Sequence, residues 1–435
     1  MLLLLLLLLC VCGEAPAQII QIPQLDILKA LKDEWGTFYG SDSWTGAQCG
    51  QMWGIACNAN GFITSLSIIE QTLLTPIPPA ISGLSYLQSL TLADCHLTGS
   101  LPSALFTLHS LTKLDLNYND LSGSISTSIS KLTNLEYIAI QGNSLEGSVP
   151  VEMSRLKKLN LLRLGRNALS GPLPPFITSF TNLVTLNLDF NSFSGSLPNS
   201  LIQLQGLTRL HLEYNRLDGS LPSALGALTQ LCYLMLGGND FSGTMPSALA
   251  SLKNLQVLSL RGLRLHGLVP LALSSLQKLQ YLELSSTSLS GPLLPIVAPM
   301  TSLKELVASY NQFTGDVPIP ASKALAVVDV QSNYFSSAPT RPKNCSAVRF
   351  LLFDNCLPTA LCGVNHEQRS NASCAAFCGV GQGGALCSGH GYCFMNDSSS
   401  TGECVCEAHY STRNGPHTCT YTGKQSESRL ESLTV

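Results

Sequence analysis

The sequence predicts an α/β solenoid in which short parallel strands stack side by side, followed by a small disulfide-rich module at the C-terminal end. Three observations support this fold: an apolar pattern with a period of 24 residues, a C-terminal cluster of cysteines, and a composition that is 45% hydrophobic and only 12% charged. The high apolar fraction excludes a disordered chain. The formal net charge of −3 offers little attraction to a phosphate backbone, so we expect no nucleic-acid partner.

The repeating pattern begins with a leucine or isoleucine that we number as position one of each unit. In the unit that starts at Leu111 it reads Leu-x-x-Leu-x-Leu-x-x-Asn-x-Leu-x-Gly and ends at Gly123. One unit cannot bury its own leucines, so twelve units must stack over residues 63–347 to share a core. The units start at Ile63, Leu87, Leu111, Leu135, Leu159, Leu183, Leu207, Leu231, Leu255, Leu279, Leu303 and Leu325.

Positions four and six are two residues apart, so on a strand both side chains point to the same side, into the core. Positions three, five, seven and eight are then expected to face solvent, and we call the side of the sheet that carries them the strand face. The Asn at position nine can bond to backbone groups of the adjacent turn. Glycine and proline, such as Gly195 and Pro198, then turn the chain.

Four units lack Asn at position nine and hold Gln71, Cys95, Leu263 and Thr287 instead. Leu263 and Thr287 occupy adjacent units, so we expect local looseness or curvature between residues 260 and 295. We expect Cys95 to be a buried thiol. Cys232 lies six units away, about 29 Å along the stack, so these two cysteines cannot form a disulfide and should both stay reduced.

These motifs resemble the leucine-rich repeat, and the segment Leu-Glu-Gly-Ser-Val-Pro at 145–150 resembles its plant-specific class. The resemblance covers about residues 22–357 and implies a right-handed superhelix with the strands on its concave face. The segment from Trp44 to Cys57 resembles the N-terminal cap of plant receptor ectodomains and of polygalacturonase-inhibiting proteins. We therefore expect a cap over residues 18–62, with Cys49 and Cys57 as a disulfide.

Residues 1–17 are predicted to be a secretory signal peptide, because the apolar run from Leu2 to Leu9 is followed by an Ala-Pro-Ala pattern that ends at Ala17. A short membrane anchor is the alternative, since no basic residues precede the run. Cysteine-rich chains with Asn-x-Ser sequons are typical of export, so we expect a secreted, extracellular protein at the cell surface or in the cell wall. The candidate glycosylation sites are Asn344, Asn371 and Asn396.

Ten cysteines lie between Cys345 and Cys419. From Cys378 onward, six of them have a spacing, with one Cys-x-Cys, that resembles the epidermal-growth-factor-like domain over residues 375–421. The resemblance implies the pairs Cys378–Cys393, Cys387–Cys404 and Cys406–Cys419. A C-terminal cap over 348–374 precedes this module and a polar tail over 422–435 follows it. The pairing of the remaining four stays open: Cys345, Cys356, Cys362 and Cys374.

No motif indicates catalysis, a metal site or a cofactor. The glycine pattern at residues 379–384 lies between two cysteines without the strand and helix that a dinucleotide site needs. The His366-Glu367 pair has Ser370 where a zinc protease has its second histidine. We therefore expect a protein that is not an enzyme.

Outward-facing residues of the middle units combine arginine with aromatic side chains, as interface hot spots do. Arginine also binds carboxylate or sulfate through two hydrogen bonds, so we expect an anionic peptide or protein to bind across residues 163–264. A solvated face without a ligand is the alternative. His211 is expected to be an ordinary exposed histidine rather than a pH sensor. The candidate ligand-binding residues are Arg163, Arg166, Asp189, Phe190, Arg209, His211, Glu213, Tyr214, Tyr233 and Arg261.

Two function classes follow. The first is a secreted recognition protein for an extracellular peptide or protein, in cell-surface signalling or defence, with a membrane co-receptor as its further partner. The second, by resemblance to polygalacturonase-inhibiting proteins, is an inhibitor of a secreted cell-wall-degrading enzyme. The ectodomain of a receptor whose gene model is truncated is a third interpretation.

Overall fold

The computed structural model describes residues 20–45, 48–337, 349–351, 355 and 393–394. Several predictions concern residues outside these ranges. They are the signal peptide, the three glycosylation sequons and the disulfides of the C-terminal module, of whose cysteines only Cys393 is described. The chain divides into two compact parts. The larger part is formed by residues 1–345 with 352–358, and the smaller part by 346–351 with 359–435. In the smaller part, the strands Arg349–Leu351 and Cys393–Phe394 pair in antiparallel register.

The larger part is built on one long sheet whose strands follow each other in chain order. Strand Ile55–Cys57 pairs antiparallel with the first repeat strand, and the other pairs are parallel, with each position opposite the same position of the next unit, as Thr185 is opposite Arg209. The predicted leucine-rich-repeat solenoid is thereby confirmed, with one strand for each repeat unit. These strands are Ile63–Ile69, Ser89–Ala93, Lys113–Asp115, Tyr137–Ala139, Leu161–Arg163, Thr185–Asn187, Arg209–His211, Tyr233–Met235, Val257–Ser259, Tyr281–Glu283, Glu305–Val307 and Val327–Asp329.

A second set of short strands follows position nine, where the sequence indicated only turns. Every strand of this set except Tyr334–Ser337 carries the glycine of the repeat or ends beside it, and that glycine adopts a positive φ, as Gly123 does at 76°. The strands form two parallel sheets. The first contains Ser122–Ser124, Ser144–Gly147, Ala168–Pro172, Ser192–Ser196 and Arg216–Asp218, and the second contains Ser242–Gly243, Arg264–Leu268, Ser288–Pro292, Gln312–Asp316 and Tyr334–Ser337.

Short 3₁₀-helices connect the second set of strands to the next unit. Most begin directly after a proline such as Pro102, whose fixed φ of −72° suits a helix start. The four-residue α-helix Leu294–Val297 takes this place in one unit. The 3₁₀-helices of the repeats are Pro79–Gly83, Ser103–Thr107, Thr127–Lys131, Val151–Arg155, Pro175–Ser179, Asn199–Gln203, Ser223–Ala227, Ser247–Ser251 and Leu271–Ser275.

The N-terminal helix Ile22–Trp35 covers the first coil and buries Leu28 and Leu31 completely. Two further 3₁₀-helices, Ser41–Thr45 and Cys49–Gln51, complete the cap. Trp44 is buried there, and its indole Nε1 donates to the carbonyl of Trp53 at 2.9 Å. Cys49 and Cys57 form a disulfide. Trp44 is thus a core residue of the cap.

The asparagine at position nine bonds the backbone of adjacent coils together. The buried Asn215 donates to the carbonyls of Leu188, Leu212 and Glu213 at 2.9, 3.1 and 3.2 Å. Its Oδ1 accepts from the amide of Phe193 at 2.9 Å. One side chain thus satisfies four backbone groups, two of them in the preceding unit, which would otherwise be buried without partners.

Cys95 replaces this asparagine with a thiol that is fully buried and free. Its Sγ donates to the carbonyls of Ile68 and Ala93 at 3.4 and 3.3 Å, and burial raises the pKa of the thiol to about 11. Cys232 is also a free cysteine. A thiol with so high a pKa is an inert structural group at neutral pH.

The ladder of asparagines is interrupted at Leu263 and only partly replaced at Thr287. The Thr287 hydroxyl contacts the carbonyl of Leu284 in its own unit at 3.2 Å, but it does not reach back across to the preceding unit. In other units, the side-chain amide of the next asparagine donates to this backbone carbonyl, as Asn215 does to Leu188. The carbonyls of Leu236 and Leu260 lack that side-chain donor. The strands on both sides still pair in register.

We predict that backbone amides between residues 260 and 295 exchange with solvent faster than those between 185 and 220. Asn215→Leu should lower the free energy of unfolding by roughly 3 kcal/mol, because several buried backbone groups lose their hydrogen-bond partners. In this variant, amides between 185 and 220 should exchange as fast as those between 260 and 295. Leu263→Asn is the reciprocal variant and should slow exchange over 260–295. Hydrogen exchange with mass spectrometry measures all three, and slow exchange throughout 260–295 in the unmodified protein would contradict the prediction.

Candidate ligand-binding face

Residues at one position of the repeat form a row across the strand face, because the strands are in register and about 4.8 Å apart. The predicted site residues from Arg163 to Tyr233 come from four consecutive units, so the solenoid brings them together. Arg261 lies one unit further along. Arg264 does not belong to this face, because it begins a strand of the second set and pairs with Asp240.

Position eight is the most exposed row, since the backbone there turns into the left-handed region. Arg166, Phe190 and Tyr214 have φ values of 53°, 47° and 51°. This conformation costs a non-glycine residue about 1 kcal/mol, so the surrounding structure must hold it. The carbonyls of all three accept hydrogen bonds from the amides of Asn143, Asn167 and Asn191 in the preceding units, at 3.1 to 3.2 Å.

Three side chains of this row stack directly on one another, and we call Arg166, Phe190 and Tyr214 the aromatic row. The guanidinium carbon of Arg166 lies 4.5 Å from the centre of the Phe190 ring. The Phe190 and Tyr214 rings are 4.3 Å apart between centres and inclined by 23°. Cation–π and stacking contacts of this kind order the side chains before any ligand arrives.

Positions five and seven are more buried than we expected. His211 and Glu213 are each only 8% exposed, and Met235 is 3% exposed, so the expectation of an exposed His211 is wrong. The Tyr233 ring of the next unit packs beside this layer: its centre lies 6.4 Å from the His211 ring and 5.2 Å from the Arg209 guanidinium carbon. Strand periodicity gives the direction of a side chain but not whether its neighbours cover it.

Burial keeps both groups uncharged at neutral pH. Desolvation raises the pKa of Glu213 from 4.5 to about 8, and the nearby Asp189 carboxylate adds to the shift. Desolvation lowers the pKa of His211 from 6.5 to about 4, with Arg163 and Arg209 as further causes. Glu213 Oε2 and His211 Nε2 have no hydrogen-bond partner within the described part of the chain. The middle of the strand face therefore carries more arginine than ionised carboxylate.

The downstream edge of the face is organised around Glu283, which is 4% exposed. The hydroxyls of Ser259, Tyr281 and Ser285 donate to its carboxylate at 3.1, 3.0 and 3.1 Å. Arg261 Nε lies 3.8 Å from the same group, so its charge is partly offset. Burial and Glu283 together raise the pKa of Tyr281. The sequence analysis did not select Tyr281. Its position two residues before Glu283 could have indicated it, because residues two apart on a strand point to the same side.

The described residues contain no cluster of three or more histidine, cysteine, aspartate or glutamate side chains suited to a metal ion. None of the helices in the described ranges has the length and apolar character needed to cross a bilayer.

Glu213→Gln should remove a pH dependence of stability. The folded protein keeps a proton on Glu213 that the unfolded chain releases, so the free energy of unfolding falls as pH rises from 4.5 to 8. His211 acts in the opposite sense between pH 4 and 6.5, which leaves a net loss of about 2 kcal/mol between pH 6.5 and 8. Glu213→Gln should flatten this loss.

Thermal unfolding at pH 6.5 and 8.5 measures this difference. Glu146→Gln, at an exposed glutamate of the second strand set, is the matched control and should keep the slope of the unmodified protein. An identical slope in Glu213→Gln would show that Glu213 is already ionised at pH 6.5.

Sequence comparison identifies leucine rich repeats at residues 85–145, 182–204 and 206–228. No curated protein matches the sequence.

Three solved structures illustrate the range of similar solenoids. The ectodomain of the receptor kinase GASSHO1/SCHENGEN3 from Arabidopsis thaliana, in complex with CASPARIAN STRIP INTEGRITY FACTOR 2, is 30% identical with a TM-score of 0.55, over 69% of this chain and 45% of that one. The Arabidopsis receptor kinase HAESA, in complex with the peptide hormone IDA and the co-receptor SERK1, is 27% identical with a TM-score of 0.65, over 78% and 62%. A plant ice-binding protein is 26% identical with a TM-score of 0.57, over 63% and 90%.

The chain spans about half the length of the first receptor structures that it resembles. It contains leucine-rich repeats, and its solenoid is structurally similar to plant receptor-kinase ectodomains.

Proposed function

We propose that this protein is a secreted, non-enzymatic recognition protein that binds an anionic peptide or protein segment on the strand face, across residues 163–264. One observation carries the proposal: a pre-stacked row of arginine and aromatic side chains borders a buried layer whose carboxyl and imidazole groups are uncharged. Cell-surface signalling or defence, with a membrane co-receptor, is the role that we propose for it.

The charge balance of the middle strands favours an anion. Glu213 and His211 are uncharged at pH 7. The remaining charged residues at the strand-face positions of the four middle units are three arginines (Arg163, Arg166 and Arg209) and one acid, Asp189. Arginine binds carboxylate or sulfate through paired hydrogen bonds, and such bonds strengthen where water is excluded. An anionic segment lying across these strands would offset the excess positive charge.

The order of the aromatic row favours binding in a second way. Arg166 rests on Phe190, which rests on Tyr214, so these side chains lose less freedom on binding than isolated ones would. Tyr214 is still 39% exposed, which leaves aromatic surface for a ligand to cover. Buried aromatic and arginine anchors of this kind supply most of the binding free energy in measured interfaces.

The similar solenoids support a peptide ligand. The HAESA structure holds a peptide hormone and a co-receptor, and the GASSHO1/SCHENGEN3 ectodomain holds CASPARIAN STRIP INTEGRITY FACTOR 2. Inhibition of a secreted cell-wall-degrading enzyme would also use an exposed face of the solenoid. No feature of the described strand face favours that second role.

The proposal predicts that the strand-face arginines set affinity. Peptides of twelve residues selected from a displayed random library against the full chain should be enriched in Asp and Glu. The double variant Arg163→Ala/Arg166→Ala should bind them several-fold more weakly, by about 1 kcal/mol, with a larger loss at low salt because the attraction is less screened. Fluorescence anisotropy with the selected peptides gives both affinities.

The matched control removes two exposed arginines away from the strand face, Arg155 in a 3₁₀-helix and Arg216 in the second strand set. Arg155→Ala/Arg216→Ala changes the net charge equally and should leave affinity unchanged. Equal losses in the two double variants would indicate a long-range charge effect and place the binding site elsewhere.

A further inference from the structure

Two tyrosines of position eight, Tyr118 and Tyr214, lie on the glycine at position eight of the next unit. A Cβ atom built on Gly142 would come within 2.5 Å of Tyr118 Cδ1, and one built on Gly238 would come within 2.7 Å of Tyr214 Cδ1. Real Cβ atoms essentially never make contacts shorter than 3.0 Å, so a side chain at either glycine would displace the ring. The absence of a side chain is therefore what lets each tyrosine settle on the backbone.

The next glycine of this row, Gly262, has no ring above it. Gly238 occupies position eight of the preceding unit and has no side chain to place there. Within 4 Å of a Cβ built on Gly262 lie only backbone atoms of Gly238, at 3.8 and 4.0 Å. Gly262 is exposed and Gly238 is partly exposed. The aromatic row thus ends at Tyr214 against an open stretch of backbone, which we call the glycine step, formed by Gly238 and Gly262.

We propose that the glycine step is the docking position for an aromatic side chain of the peptide ligand, which would extend the aromatic row by one ring. This inference rests on the proposed peptide-binding function and names the chemistry that the ligand must bring.

The chain itself supplies the precedent for this contact. It places a tyrosine on Gly142 and another on Gly238, so a phenol or phenyl ring fits this backbone when no side chain opposes it. The ring would stand where the side chain of Gly238 is missing, next to Tyr214, as Tyr214 stands next to Phe190 at 4.3 Å. Offset stacking at this spacing is favourable in proteins.

The sides of the step are polar, which suits the backbone of a peptide. Arg261 and Glu283 lie on the strand side, 3.8 Å apart. Arg264 and Asp240 form an ion pair on the other side. The Glu283 carboxylate is buried and already accepts from three hydroxyls. The polar contacts left for a peptide backbone are therefore Arg261 on the strand side and the Arg264–Asp240 pair on the other side.

The geometry also sets a spacing within the ligand. Three units separate Arg166 from Gly238, or about 14 Å at 4.8 Å per unit, and an extended peptide covers that distance in about four residues. The ligand should carry its anionic group about four residues from its aromatic side chain.

Filling the step with a ring of the protein's own gives the sharpest test. Gly238→Tyr should place a tyrosine over Gly262 once the Tyr214 ring shifts off Gly238. Phe190 beside Tyr214 shows that consecutive aromatic residues fit this row. Ser332→Tyr is the matched control, since Ser332 also occupies position eight with a φ of 54° but lies four units beyond Gly238. Tyr118, Tyr214 and Tyr310 all adopt the same left-handed backbone, so both variants should fold.

The probes are the peptides selected from the displayed library on the unmodified full chain. We expect them to pair Asp or Glu with Tyr, Phe or Trp about four residues away. Their affinity should fall at least tenfold on Gly238→Tyr and stay unchanged on Ser332→Tyr. Replacing the peptide's aromatic residue by alanine should weaken binding to the unmodified protein tenfold and have no further effect on Gly238→Tyr.

Several outcomes would overturn the inference. One is an alanine substitution in the peptide that weakens binding equally on the unmodified protein and on Gly238→Tyr. Another is selected peptides that are anionic and depend on Arg163 and Arg166 but lack aromatic residues, which would leave the proposed function intact. Binding of a neutral β-glucan hexasaccharide that is lost in Gly238→Tyr would assign the step to carbohydrate. A library that yields no binder would overturn both proposals.

A milder variant covers the case in which Gly238→Tyr does not fold. Gly262→Ser raises the step by one small side chain, and Ser286 and Ser332 already occupy position eight with φ values of 55° and 54°. Its Cβ would occupy the space in which the ligand's ring rests. Selected peptides should bind it several-fold more weakly, and unchanged binding would contradict the inference.

Discussion

The buried asparagine at position nine is the interaction on which the rest of this structure depends. Asn215 bonds backbone groups of its own unit and of the preceding one, and this keeps neighbouring coils in register. Register then turns the residue chosen at one position into a row across the sheet. A slip of one residue would reverse the inward and outward faces of a strand. The ladder, together with strand pairing that stays in register past Leu263, therefore maintains the shared core and the continuous strand face.

The same ladder holds the strained backbone that displays the aromatic row. Phe190 has a positive φ, and its carbonyl accepts from the amide of Asn167, the ladder residue of the preceding unit, at 3.2 Å. The unfavourable conformation persists because bonds on both sides leave no alternative. Stability and recognition are therefore linked in this solenoid: the bonds that bury polar backbone also raise position eight above the sheet, where a ligand can reach it.

The sequence was sufficient to predict the solenoid, because the 24-residue period identifies the inward-facing positions. Leu210 and Leu212, for example, are buried. It was not sufficient for the strand face. Alternation on a strand gives direction only, so it could not show that the Tyr233 ring of the next unit packs beside a buried His211. The second set of strands was missed because Ser-Gly segments have low strand propensity and pair only after the coils are stacked. The glycine step was missed because a residue without a side chain leaves no pattern of contacts to search for.

Similar solenoids with different ligands locate specificity in the rows rather than in the fold. A plant ice-binding protein and two receptor kinases with different bound partners are similar to this chain with comparable TM-scores, so the stack by itself selects no partner. Fold similarity does not specify function, so in this chain we look for specificity in the side chains that the strand face displays at four positions per unit. Here these positions place uncharged His211 and Glu213 beneath a stacked arginine–aromatic row that stops at Gly238. Buried neutral groups remove competing negative charge, the row supplies ordered contact area, and its interruption leaves space for one further ring. A partner that matches all three features would gain affinity from each of them without any rearrangement of the solenoid.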